Sequence, residues 1–150
     1  MDVYELNRIG RAYVAGLFDG EGYIRCSFKK HHKARKRNME FWIVVSNTYR
    51  PILEYLRMSF GGSIYENPSK SKKHKLSCFW KLTSRGAFIV LSQIVPYLRI
   101  KHEPAKLVLS KKALITKKGP RSDNEIEALT DLTKKMEAFT RRGVQRPKPF

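Results

Sequence analysis

Apolar and polar residues alternate in four short stretches of the chain. Ile24, Cys26 and Phe28 alternate with Tyr23, Arg25 and Ser27, and Met39, Phe41, Ile43 and Val45 alternate with Glu40, Trp42, Val44 and Ser46. A period of two sends successive side chains to opposite faces, so both stretches read as half-buried strands, joined into a hairpin by the polar run between them. A second hairpin follows the same plan. Ile64 stands between Ser63 and Tyr65, and Leu76, Cys78, Trp80 and Leu82 alternate with Ser77, Phe79, Lys81 and Thr83. Elsewhere the apolar spacing widens to three and four. Pro51 near the start and Gly61 and Gly62 past the end frame a helix carrying Ile52, Leu53, Leu56 and Phe60. Ser84 is expected to cap a helix bearing Phe88, Leu91 and Ile94 that stops at Pro96, and Pro104 to open another through Val108 and Leu114. After the Gly119–Pro120 break, Ser122 and Glu125 form a capping box for a last helix with Ile126, Leu129, Leu132, Met136 and Phe139, closed by Arg141, Arg142 and Gly143.

With an amphipathic helix at the start, the order becomes αββαββα with C-terminal helices. Helices on one face of an antiparallel sheet make an α+β domain, here a sheet saddle packed under helices. The expected domain spans residues 1–142, and residues 143–150, GVQRPKPF, read as a flexible tail.

The first helix runs through VAGLFDGEG, residues 14–22, into a Gly-carboxylate-Gly turn. A helix C-terminus carries partial negative charge, so Asp19 and Glu21 stand where acids are disfavoured by about 0.3–1 kcal/mol each. Backbone donors exposed by Gly20 and Gly22, or a divalent cation taking oxygen ligands, would compensate them. The last helix keeps Asp123 and Glu125 at its favourable end. A chain that obeys the dipole rule there and breaks it at Asp19 and Glu21 marks the latter as its place of chemistry.

Composition narrows the partner. With 31 Lys and Arg against 13 Asp and Glu, the 150-residue chain has a net charge of +18, a field that suits a polyanion, most simply nucleic acid. A membrane is the weaker partner, because no apolar run of about 18 residues occurs and the N-terminus MDVYELNRIG lacks a signal pattern. An intracellular location is expected. Cys26 and Cys78 lie on apolar strand faces without zinc-ligand spacing and read as reduced core thiols. His31, His32 and His74 fall inside lysine-rich runs and read as basic surface.

Nearly all of the excess positive charge lies between residues 26 and 118. KKHHKARKR at 29–37 supplies Lys29, Lys30, Lys33, Arg35, Lys36 and Arg37, and SKSKKHK at 69–75 supplies Lys70, Lys72, Lys73 and Lys75. Both are hairpin tips suited to phosphate contact. An antiparallel sheet can leave one face open to a ligand, and a sheet or ribbon can enter the major groove. On that face Tyr23, Arg25, Ser27, Ser77, Lys81 and Thr83 are the expected base-reading or backbone-positioning residues.

The nonamer VAGLFDGEG resembles the signature of the LAGLIDADG homing endonucleases. Two further segments resemble family patterns in register: VVSNTYRPILEYLRMSFGGSI, the strand, helix and Gly-Gly turn after the first hairpin, and PYLRIKHEPAKLVLS, the Lys-bearing connection to the helix behind the active site. The matched order covers roughly residues 7–117. Val14, Phe18 and Glu21 depart from the eponymous residues, and both acids serve at the position of Glu21. The resemblance implies that Glu21, helped by the Gly20 carbonyl, binds a catalytic Mg²⁺ or Mn²⁺. It implies that Asp19 partners backbone amides at the helix end, that Asn47 orients water and that Lys101 approaches the scissile phosphate. Arg50 and Arg99 are weaker candidates.

Only one acidic turn occurs, whereas a duplex has two strands to cut. A two-fold dimer answers this. Ala12, Ala15 and Gly16 form a small-residue stripe, and with Asp19 they are the expected dimer interface that brings two Glu21 residues together. The resemblance then implies a homodimer that reads a long, pseudo-palindromic double-stranded DNA site and cuts it across the minor groove. Two alternatives are an RNA-binding maturase, with intron RNA as partner, and a noncatalytic DNA-binding regulator. Retention of Glu21, Asn47 and Lys101 argues against the regulator.

Overall fold

The computed structural model describes residues 6–30, 37–67 and 77–140. Its elements run α1 (Arg8–Glu21), β1 (Gly22–Lys30), β2 (Arg37–Asn47), α2 (Arg50–Phe60), β3 (Ser63–Asn67), β4 (Ser77–Thr83), α3 (Ser84–Ile94), a 3₁₀ turn (Val95–Tyr97), α4 (His102–Ser110), α5 (Lys112–Thr116) and α6 (Asp123–Thr140). The strands form one antiparallel sheet in the order β1-β2-β4-β3. This is the α+β architecture expected from the alternation. The tip residues Lys33, Arg35, Lys36, Lys70, Lys72, Lys73 and Lys75, the closing Arg141, Arg142 and Gly143, and the tail lie outside the described residues.

The period-two reading sets the faces. Ile24, Cys26, Phe41, Ile43, Val45, Cys78, Trp80 and Leu82 turn inward and join Phe18, Leu53, Leu56, Phe88, Leu91, Val108, Leu129, Leu132 and Met136 in one core. Burial pushes the Cys26 thiol up to about 12, and both cysteines are free, as packed core thiols are. The α6 helix packs against β1, the strand at the sheet's edge. An edge strand's unpaired backbone invites wrong pairing, and covering it with a helix is a standard remedy. No helix among the described residues is long and apolar enough to cross a membrane.

Local signals account for several helix ends. Asn7 caps α1 by accepting the Gly10 N–H at 2.8 Å. Pro51 sits in the first turn of α2, and Gly61 past its end takes φ +79°. The capping box at α6 is formed in both directions, Glu125 N–H donating to Ser122 Oγ at 3.2 Å and Ser122 N–H to Glu125 Oε1 at 3.0 Å.

Two helix boundaries differ from expectation. Ser84 does not cap α3, because strand passes to helix with no loop between them. Thr83 occupies the cap without a side-chain bond, and Ser84 turns the corner at φ +49°. The helix expected to open at Pro104 begins at His102, with Pro104 in its first turn, and is interrupted at Lys111, whose N–H bonds to the Val108 carbonyl at 3.1 Å in a tightened turn that separates α4 from α5. No Gly or Pro announces that break.

Candidate metal centre and nucleic-acid interface

The site is built where α1 meets β1. Helix becomes strand between Glu21 and Gly22, and a Cβ at Gly22 would collide with the Phe18 ring, so the residue after the acids must be glycine for this junction to close. One side of α1, with Val14, Ala15 and Phe18, enters the core. The opposite side presents Ala12, Gly16 and Gly20 outward, and a Cβ at either glycine would meet nothing within 4 Å.

Asp19 and Glu21 point to different duties. The Asp19 carboxylate accepts three backbone N–H groups, from Arg99 at 2.8 Å on Oδ2 and from Ile100 at 3.2 Å and Lys101 at 2.9 Å on Oδ1. Those amides lead directly into the N-terminus of α4, which carries partial positive charge. The compensation of Asp19 therefore comes from across the molecule, not from Gly20 or Gly22. Two helix ends of opposite sign are tied together by one carboxylate. The Lys101 ammonium donates to the Asp19 main-chain carbonyl, closing the clasp. Burial pushes the Lys101 pKa below the usual lysine range, opposed by the nearby negative charges of Asp19 and Glu21.

Glu21 stays exposed beside this clasp, with no hydrogen bond to its carboxylate among the described residues. Asp19, holding three amides, has little capacity left for a cation, so Glu21 and the Gly20 carbonyl are the candidate oxygen donors. No group of three or more His, Cys, Asp or Glu side chains gathers among the described residues. A donor set of one carboxylate and one carbonyl fits Mg²⁺ or Mn²⁺, since Mg²⁺ keeps several waters and uses one or two carboxylates together with substrate phosphate. Asn47 ends β2 at the same end of the sheet, because Gly22 pairs with Val45, and its Oδ1 accepts the Tyr49 N–H at 2.8 Å. Arg50 is engaged by Glu66 at 2.5 Å and by Glu54 at 3.4 Å.

The other expected positions divide. Tyr23, Arg25, Ser77 and Thr83 are exposed on the sheet face away from the helices, with half-buried Lys81 beside them. Ser27 shares that face by register opposite Glu40 but is 7% exposed, so it offers a ligand little. Lys29, Lys30 and Arg37 lie at the distal end of the β1–β2 ladder. Ala15 corrects the expected dimer stripe: it is 0% exposed in the protomer's own core, because it lies on the inward side of α1 with Val14 and Phe18. The outward stripe is Ala12, Gly16 and Gly20, extended by exposed Ile9 and Tyr13. Trp42, Tyr65 and Phe79 share the open sheet face with these residues and are absent from the sequence-based expectation. The signal was present, since Trp42 and Phe79 occupy the polar positions of the alternation.

A family model described as LAGLIDADG endonuclease matches residues 14–117. No curated protein matches the chain. Among solved structures, the homing endonuclease I-CvuI, in complex with the I-CreI target in the presence of 2 mM Mg and with the DNA not cleaved, is 21% identical. It covers 93% of this chain and 86% of its own at a TM-score of 0.72. The archaeal intron-encoded homing endonuclease I-Vdi141I complexed with DNA is 15% identical over 95% of this chain and 89% of its own, TM-score 0.65. The meganuclease I-SmaMI bound to uncleaveable DNA is 15% identical over 91% of this chain but only 47% of its own, TM-score 0.63. With the family model spanning most of its length, the chain belongs to the LAGLIDADG endonucleases.

Proposed function

We propose that the protein is a site-specific DNA endonuclease that acts as a homodimer and makes a metal-dependent double-strand break across the minor groove of a long, pseudo-palindromic site. The observation that carries this reading is the division of labour at the end of α1. Asp19 is consumed by three amides, while Glu21 is left exposed next to Lys101. DNA in the structures of I-CvuI and I-Vdi141I supports a duplex as ligand.

Each residue has a physical duty. Glu21 and the Gly20 carbonyl would hold a divalent cation, which lowers the pKa of a bound water and offsets charge on phosphate oxygens. Lys101, held at the Asp19 carbonyl, would add positive charge where the phosphate becomes more negative. Asn47 would orient water at the end of β2. One protomer offers one such carboxylate, so a partner related by a two-fold axis along Ala12, Gly16 and Gly20 would supply the second for the opposite strand.

Incubation with a plasmid carrying the intron-less allele of the protein's own locus tests this, with Mg²⁺ or with chelator, beside Glu21→Gln. Linear product that needs both metal and Glu21 is expected. Tight binding with no cut by the wild type would move the reading to a regulator, and binding confined to RNA would move it to a maturase.

A further inference from the structure

The open face of the sheet is not simply polar. Across the strands, Arg25, Trp42 and Thr83 form one row, Tyr23, Val44, Lys81 and Ser63 the next, and Ser46, Phe79 and Tyr65 a third. Val44 in the middle row is 1% exposed although it faces away from the helices and stands outside the main core cluster. An aliphatic side chain buried on the solvent side requires its larger neighbours to close over it. The face therefore has an apolar patch of its own, and such patches mark contact surfaces.

Ring orientation limits what the patch can touch. Tyr65 and Phe79 stack with centroids 5.2 Å apart and planes 22° apart. Because they project from neighbouring strands, facing rings must stand upright and turn their edges outward. The Trp42 ring has the Lys81 ammonium 4.4 Å from its centroid and the Arg25 guanidinium 6.0 Å away. One face of each stacked ring is thus engaged within the protein, and the paired bases of a duplex present edges, not faces, to a groove. Edges remain. In the major groove the apolar substituent that the carbons of a ring edge can meet is the thymine C5-methyl, while the amino and carbonyl groups of a G·C pair would lose water against those carbons without gaining a partner.

We propose that the outward edges of Tyr65, Phe79 and Trp42 read thymine methyl groups, so that the half-site carries thymines where this patch meets the major groove. The inference rests on the duplex-binding reading above and specifies its substrate.

The test begins with selection by the full-length protein from a random-sequence duplex library, followed by replacement of each thymine in the selected site by deoxyuridine. Loss of a methyl under the patch should weaken binding about three- to fivefold, the worth of burying one such group, while replacements elsewhere leave affinity unchanged. Tyr65 is 48% exposed, so Tyr65→Ser should fold, as a thermal melt will verify, and should abolish the thymine–uracil difference at one position. A selected site insensitive to every deoxyuridine replacement overturns the proposal and leaves duplex recognition standing. Failure to select any duplex, with single-stranded oligonucleotides bound instead, overturns both.

Discussion

Acidic residues stand at the end of α1 and at the start of α6, and the two helix ends treat them in opposite ways. At α6 everything is local. Glu125 exchanges hydrogen bonds with Ser122 and is reached by the Lys117 ammonium at 2.6 Å, and the Lys117 hydrogen bond, followed by the Ser122 amide, lowers its carboxyl to about 2. At α1 the helix dipole opposes the acids. Asp19 is satisfied by amides from residues 99–101, and Glu21 by no hydrogen bond among the described residues. The two acids at the end of α1 thus differ in kind: one carboxylate secures the tertiary structure, and its neighbour stays exposed.

Removing single groups at each end sharpens this contrast. The largest effect is expected from Glu21→Gln, which should lower cleavage by on the order of a thousandfold, the several kcal/mol of charge stabilisation that a bound divalent cation supplies, while DNA affinity holds. Glu125→Gln is the control at the other helix and should leave cleavage intact; plasmid linearisation assays on both variants measure this. Next comes Gly16→Leu. The new side chain has open space within the protomer, so the fold should persist. Overpacking two facing helices costs about 1–3 kcal/mol per contact, so the dimer Kd should rise at least about tenfold by analytical ultracentrifugation. A dimer of undiminished affinity would place the interface elsewhere.

Stability separates the two ends further. Asp19→Asn removes the charge and replaces one of the two accepting oxygens by an NH2 that cannot accept, and should cost about 2–3 kcal/mol, a fall of roughly 5–10 °C in Tm for a chain of this size. Ser122→Ala should cost only about 1 kcal/mol, because it removes one local cap. If calorimetry gave the two equal losses, the clasp between α1 and α4 would be no stronger than an ordinary helix cap. The smallest effect is in pH. The Glu125 pKa is lowered on folding from 4.5 to about 2, so its stabilising contribution is fully present above pH 4.5 and is lost as pH falls toward 2. Glu125→Gln should flatten the acid limb of the Tm profile in that window.

Legibility in the sequence followed the range of the forces involved. Strand faces were readable because the alternation at Ile24–Phe28 and Met39–Val45 is enforced by the pleat within a few residues. The α6 capping box was readable because both partners lie within one turn. Ser84 was misassigned as a cap because the missing loop between β4 and α3 is not written in residue types. Ala15 was placed on the wrong side of α1 because small size alone suits both a core position and a helix interface.

By itself the sequence determined the α+β order of elements, the inward and outward faces of the sheet, the basic middle of the chain and the acidic turn at residues 19–21. Periodicity, turn chemistry and charge act over short spans and are encoded where they act. Tertiary structure alone decided that the amides of residues 99–101 hold Asp19, that Lys101 closes on the same helix end, and that Tyr65 and Phe79 stack on the open sheet. Those arrangements join residues far apart in the chain, and no local pattern specifies which distant groups the packed core will bring together.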